Sequence, residues 1–126
     1  MNKAIQNWIK SSDYDIRAAE IMRDGGRYLY VIFLCHLSLE KMLKAVVTRK
    51  TRKVAPKTHD LYYLMKLSGL EIPSSHQKIA AHLNQASIPT RYPQDMAKIM
   101  KQYTKAIAEK YLEETESLLK WLKQIK

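Results

Sequence analysis

The stretch from Arg27 to Lys50 opens with eight apolar residues, "YLYVIFLC", and continues through Leu37, Leu39, Met42, Leu43, Val46 and Val47 with few polar interruptions. Periodicity alone leaves the octet open as a buried strand, but the continuation is far longer than a strand runs. The stretch therefore reads as a helix that is apolar nearly all round. Such a helix must be covered on more than one side, in the centre of a bundle or against a second subunit. The rest of a chain of 126 residues has to supply that cover within one compact domain.

Suitable partners are visible on both sides of it. From Lys3 to Asp24, the residues Ile5, Trp8, Ile9, Ser12, Ile16, Ala19 and Met22 recur every three or four positions, and Gly25-Gly26 then breaks the helix. At the other end, Ile107, Tyr111, Thr115, Leu118, Leu122 and Ile125 place a last helix over Thr104 to about Gln124, whose start could reach back through "MAKIMKQY" to Gln94 or leave that piece as a separate turn. Between them, Thr58 is placed to cap a short helix carrying Leu61, Leu64 and Leu67. Ser74 or Ser75 caps a fourth piece through Ile79, Leu83 and Ala86, and Pro89 and Pro93 exclude "SIPTRYPQD" from regular helix. With only three glycines and four prolines, the expected fold is an all-α up-and-down bundle of three long helices and two short ones.

The charge is uneven. Seven lysines and arginines fall between Lys41 and Lys57, and no acid occurs from Lys41 to His59. A formal net charge of +10 draws a domain to polyanions, whether nucleic acid, nucleotide phosphate or an acidic protein, without choosing among them. Cys35 is the single cysteine and lies in the apolar octet, so no disulfide framework exists and a cytoplasmic home is expected. The opening "MNKAIQNWIKSSDYD" lacks the apolar core of a signal peptide, and no run approaches the ~20 residues that span a bilayer.

Several residues could carry function, each with a plainer alternative. His36, Glu40 and Lys44 are spaced to form one stripe on the second helix with Lys41 beside it, either a solvated seam or one wall of a groove. Arg49, Lys50, Arg52 and Lys53 form a basic loop that is either simply hydrated or set beside a helix N-terminus near Thr58, where dipole and free N–H groups favour an anion. His59 stands at that helix start. Arg91 can grip a phosphate bidentately and Tyr92 can stack on a base; otherwise they close a turn and fill the core. His76 and His82 lack companions at metal-ligand spacing, so neither a metal site nor a cofactor is assigned, and no Gly-rich phosphate loop, nucleophile elbow or HExxH motif is present.

The order of a tryptophan in the first helix, "SLEKMLKA" in the second, "PKTHDL" opening the third, "TRYP" before the last, then "YT" and "WLKQI", resembles the HEPN domain family over almost the whole chain. The resemblance implies an up-and-down bundle, usually a two-fold dimer, related to the substrate-binding helical domain of aminoglycoside nucleotidyltransferases. It implies two different jobs. Many small prokaryotic members work beside a minimal nucleotidyltransferase, as its nucleotide- or substrate-binding half or in a toxin–antitoxin pair. Others are metal-independent ribonucleases marked by an arginine, four to six residues, then a histidine near the last long helix. Here "YPQDMAKIMKQY" follows Arg91 without a histidine. Arg52 and His59 have six residues between them but lie before the third helix.

Carried over by motif, the resemblance points to Lys41, Lys44, His59, Arg91 and Tyr92 as ligand contacts, with Arg49, Lys50, Arg52 and Lys53 as a secondary basic loop. The expectation is a non-catalytic homodimeric subunit binding nucleotide or RNA phosphate and docking a nucleotidyltransferase. Its rivals are a ribonuclease toxin, which lacks here the imidazole that supplies about 10²- to 10⁴-fold of acid–base catalysis, and a dimeric protein-interaction scaffold.

Overall fold

A computed structural model describes residues 2–125, and these form six helices: α1 (Lys3–Asp24), α2 (Tyr28–Thr51), α3 (Leu61–Ser68), α4 (Ser74–Arg91), α5 (Met96–Gln102) and α6 (Lys105–Gln124). No strand occurs among the described residues. α2 runs through the middle and packs against α1, α3, α4 and α6. Its Val31, Ile32, Cys35, Leu39 and Leu43 are fully enclosed and meet Leu61 and Leu64 of α3, Ile79 and Leu83 of α4, and Leu112 and Leu118 of α6 in one core. The near-absence of a polar face on this helix is thus met within a single chain. Burial of the Cys35 thiol pushes its pKa up to about 12.

α1 and α2 are clamped by a reciprocal pair of buried serines. The Ser12 hydroxyl donates to the Ser38 carbonyl and the Ser38 hydroxyl to the Ser12 carbonyl, both at 2.8 Å. Small polar residues let the two helices approach closely at this point, and each hydroxyl finds an acceptor without water. The turn between the helices is set by Gly26 at φ 74°: its N–H donates to the Arg23 carbonyl and that of Arg27 to the Met22 carbonyl, the double closure that ends a helix on a left-handed glycine. At the far end of α2 the same left-handed conformation is taken by Arg52, at φ 58°. An arginine there costs roughly 1 kcal/mol that glycine would not.

The bundle is all-α as expected, but four of its helices are long, not three, and the described residues hold six. α4 has 18 residues and does not stop at Ala86; Ser87 to Arg91 continue it through Pro89. Pro89 lies in the last turn, where its missing N–H forfeits one bond and helical hydrogen bonding resumes beyond it, Tyr92 N–H donating to the Ile88 carbonyl at 2.9 Å. Pro93 does end the helix, by driving Tyr92 out of the helical region. Two starts also differ. α3 is capped by Asp60, two residues beyond Thr58, and α4 starts after Pro73 with no side-chain cap from Ser74 or Ser75. "MAKIMKQ" is a separate helix, capped by Asp95, and Thr104 caps α6.

Candidate functional site

Phe33, His36, Glu40 and Lys44 follow one another at intervals of three, four and four along α2, so they share a face. α4 and the segment before α3 close over that face. From α4, Arg91 lays its guanidinium 4.6 Å from the centre of the Phe33 ring. From the segment before α3, His59 places Nδ1 2.9 Å from Glu40 Oε1. Glu40 Oε2 accepts from Lys44 Nζ at 3.1 Å, and Nζ also stands 5.4 Å from the Trp8 ring centre. His36 Nδ1 is 3.9 Å from Glu40 Oε1. One buried carboxylate, 4% exposed, therefore sits among three basic side chains, with a fourth, Arg91, beyond His36.

The groups do not carry equal charge. Burial lowers the pKa of His36; Glu40 works against that shift and Arg91 adds to it, so the ring stays neutral around pH 7. A carboxylate only accepts, so Glu40 fixes the His59 proton on Nδ1 and leaves Nε2 as the ring's available nitrogen on a side chain 69% exposed. Arg91 is different again. Its Nε and Nη2 are buried and have no hydrogen-bond partner, and no carboxylate reaches it among the described residues. A guanidinium presents five N–H donors in a rigid fork, and the three on Nε and Nη2 face no acceptor.

The remaining candidates part company. Lys41 turns to α1 and pairs with Asp15 at 2.8 Å. Tyr92 is 74% exposed and lines, with Ile88, Lys98 and Gln102, a crevice of about 350 Å³. Arg91 lines a different one of about 380 Å³, with Tyr28, Met96, Met100 and Tyr103. Arg49, Lys50 and Arg52 lie at the mouth of a third cavity and Lys53 beyond it. They are not near Arg91: Phe33 and Arg49 are separated by about 24 Å of helix, and Arg49 lies about 180° around the axis from Glu40.

The expected anion seat at the α3 N-terminus is already filled. Asp60 Oδ1 accepts from Tyr62 and Tyr63 N–H and from Asn84 Nδ2 at 2.9 Å, and these bonds hold its pKa below the usual carboxylate range. Asn84 Oδ1 in turn accepts from Leu61 N–H at 2.9 Å, so one α4 amide ties down the start of α3 and, through it, the placing of His59. Sequence reading missed Asn84 and Phe33. An amide one residue from the core position Leu83 is the only hint of the first, and nothing marks Phe33 within its apolar octet. No cluster of three or more His, Cys, Asp or Glu suited to a metal occurs among the described residues. Nor is any described helix long and apolar enough to cross a membrane.

An all-helical bundle with a buried acid–base stripe on its central helix, closed by an arginine at the end of α4, defines the structural class. The HEPN domain family model matches residues 5–125, and the chain belongs to that family. Two solved structures are similar. TT1696 from Thermus thermophilus aligns with a TM-score of 0.82 at 24% identity over 98% of both chains. ST0689, described as an archaeal HEPN homologue, aligns at 0.77 and 23% identity over 98% of this chain and 97% of its own. At these identities the likeness speaks for the fold. No curated protein matches the chain.

Proposed function

We propose that this HEPN protein is a non-catalytic subunit that binds the phosphate of a nucleotide or of RNA at Arg91, acting in the cytoplasm with a minimal nucleotidyltransferase, as in a toxin–antitoxin pair. The observation that carries the reading is the Arg91 guanidinium, held over Phe33 with Nε and Nη2 buried and unpartnered. Leaving such donors unmet costs free energy that an incoming oxyanion recovers. His59 Nε2 supplies a further polar contact on the same face. Lys41 and Lys44 act at longer range, because each already faces a carboxylate. Tyr92, on the neighbouring crevice, is suited to stack on a base.

A second copy of the chain fits the same region. Tyr30, Ile88, Met96 and Met100 are all more than half exposed and surround the crevices on either side of Arg91. An apolar border of this kind around a charged centre is what a two-fold interface buries.

Calorimetric titration with ATP and with a short RNA tests the reading. Arg91→Ala is expected to weaken binding about ten- to hundredfold, and Arg91→Lys to restore little of it, because an ammonium cannot reproduce the fork. Lys41→Ala should cost less than about threefold. Failure of the parent protein to bind either ligand at millimolar concentration would remove the phosphate part of the proposal.

One observation favours a ribonuclease instead. The Glu40–His59 pair is an oriented imidazole with an exposed nitrogen, the arrangement a general base needs. RNA incubated with the protein in EDTA decides between the two: cleavage abolished by His59→Ala would make the chain an enzyme.

A further inference from the structure

On the side of α2 away from Glu40, a cavity of about 520 Å³ opens between α1, the C-terminal half of α2, the segment after α3 and the end of α6. Its walls are apolar: Ile5, Ile9, Met42, Val46, Leu70 and Leu122. Its mouth is cationic. Arg49, Lys50 and Arg52 line it, no acidic residue does, and none of the three reaches a carboxylate among the described residues. Lys123, also at the mouth, is already held by Asp13 at 2.5 Å.

Two features narrow the occupant. Arg52 stands at the mouth in a left-handed backbone conformation that glycine would adopt freely, so a cationic side chain is placed there at the cost of local strain. The apolar walls are also recessed. None of the six is among the exposed large hydrophobic residues, and Ile5, Met42 and Leu122 are nearly inaccessible. A partner helix laid across the mouth would meet the cations and leave the walls untouched. A single aliphatic chain entering end-on would reach the walls and leave its head group among the cations. The volume is in the range of small-molecule sites.

We propose that this cavity binds a single-chain aliphatic amphiphile with an anionic head, a carboxylate or a phosphate monoester. The tail lies along the half-buried Ile9, Val46 and Leu70, and the head is held by Arg49, Lys50 and Arg52. The site is separate from that of Arg91.

The full chain is titrated by calorimetry with sodium decanoate, decyl phosphate and decyltrimethylammonium, each below its micelle concentration, and the isoleucine, leucine, valine and methionine methyl signals are followed by NMR. Binding of either anion, with the cation at least about tenfold weaker, is expected, and the two anions distinguish a carboxylate from a phosphate ligand. The methyl shifts should centre on Ile9, Val46 and Leu70. Arg52→Gly should weaken the anions about tenfold without lowering the thermal midpoint, since the backbone strain is relieved, and Arg49→Gln should act in the same direction. Arg91→Ala should leave amphiphile binding unchanged, whatever it does to nucleotide binding. Equal affinity for all three head groups, no binding of either anion, anion binding that survives both arginine substitutions, or methyl shifts centred elsewhere would each overturn the proposal. So would preferential capture of an acidic amphipathic peptide, which would assign the mouth to a protein partner.

Discussion

Glu40→Ala is expected to destabilise the protein by about 3–5 kcal/mol, the cost of breaking a buried ion pair by removing one partner. Glu40 is 4% exposed, and the Lys44 side chain that it neutralises is 8% exposed. Without the carboxylate, an ammonium remains in a nearly dry site with only the Trp8 ring to attract it, and His59 loses the acceptor that orients it. In urea unfolding the midpoint should fall while the slope is unchanged, and the thermal midpoint should drop by roughly 10–20 °C. A loss under about 1 kcal/mol would mean that water reaches the pair. The net worth of the pair is much smaller than the cost of halving it. Replacing Glu40 and Lys44 together by leucine and methionine should bring most of the stability back, because neither charge is then desolvated.

Leu39→Ala should cost about 2–5 kcal/mol, towards the upper end of that range. The spread at a fixed substitution reflects how far the surroundings can collapse into the space left behind. Leu39 is completely buried on the central helix, and α2 is braced by α1, α3, α4 and α6. Inward relaxation would have to pull whole helices out of register with their other contacts. Leu39→Met, which nearly conserves volume, should cost less than about 1.5 kcal/mol. Equal losses for the two variants in chemical denaturation would show that the site is loosely packed.

Helical periodicity made α1, α2 and the body of α6 legible, because apolar spacing reports which face is buried wherever the core lies; it left the start of α6 open between Thr104 and Gln94, and Thr104 is the cap. It failed at Pro89. Proline forbids helix in general, yet in a final turn it costs a single bond, and only tertiary packing decides whether a turn is final. At α3, Thr58 and Asp60 are both good caps, and Asn84, distant in sequence, supports Asp60 by hydrogen bonding its carboxylate. The cationic run was the most misleading feature. Its members lie close in sequence, but α2 rotates them to different faces: Lys41 to Asp15 on α1, Lys44 to Glu40, and Arg49, Lys50 and Arg52 to a cavity on the far side. Sequence gives the direction each side chain leaves its helix. It does not say which distant acid awaits it, and that acid determines whether a cation is free to receive a ligand. The stripe of His36, Glu40 and Lys44 was visible because it lies within one helix; Arg91 joins it only through the length of α4.

Cys35 gives the molecule its own clock. Only the thiolate reacts with alkylating reagents, and this thiol is both enclosed on every side and held protonated far above neutral pH. Modification by iodoacetamide must therefore wait for the bundle to part, and in native buffer it should proceed at least about a thousandfold more slowly than in urea-unfolded chain. Timed alkylation read by mass spectrometry then reports how often the central helix is uncovered, with no engineered label. Labelling at the unfolded rate would mean that the core around Cys35 does not stay closed in the folded protein.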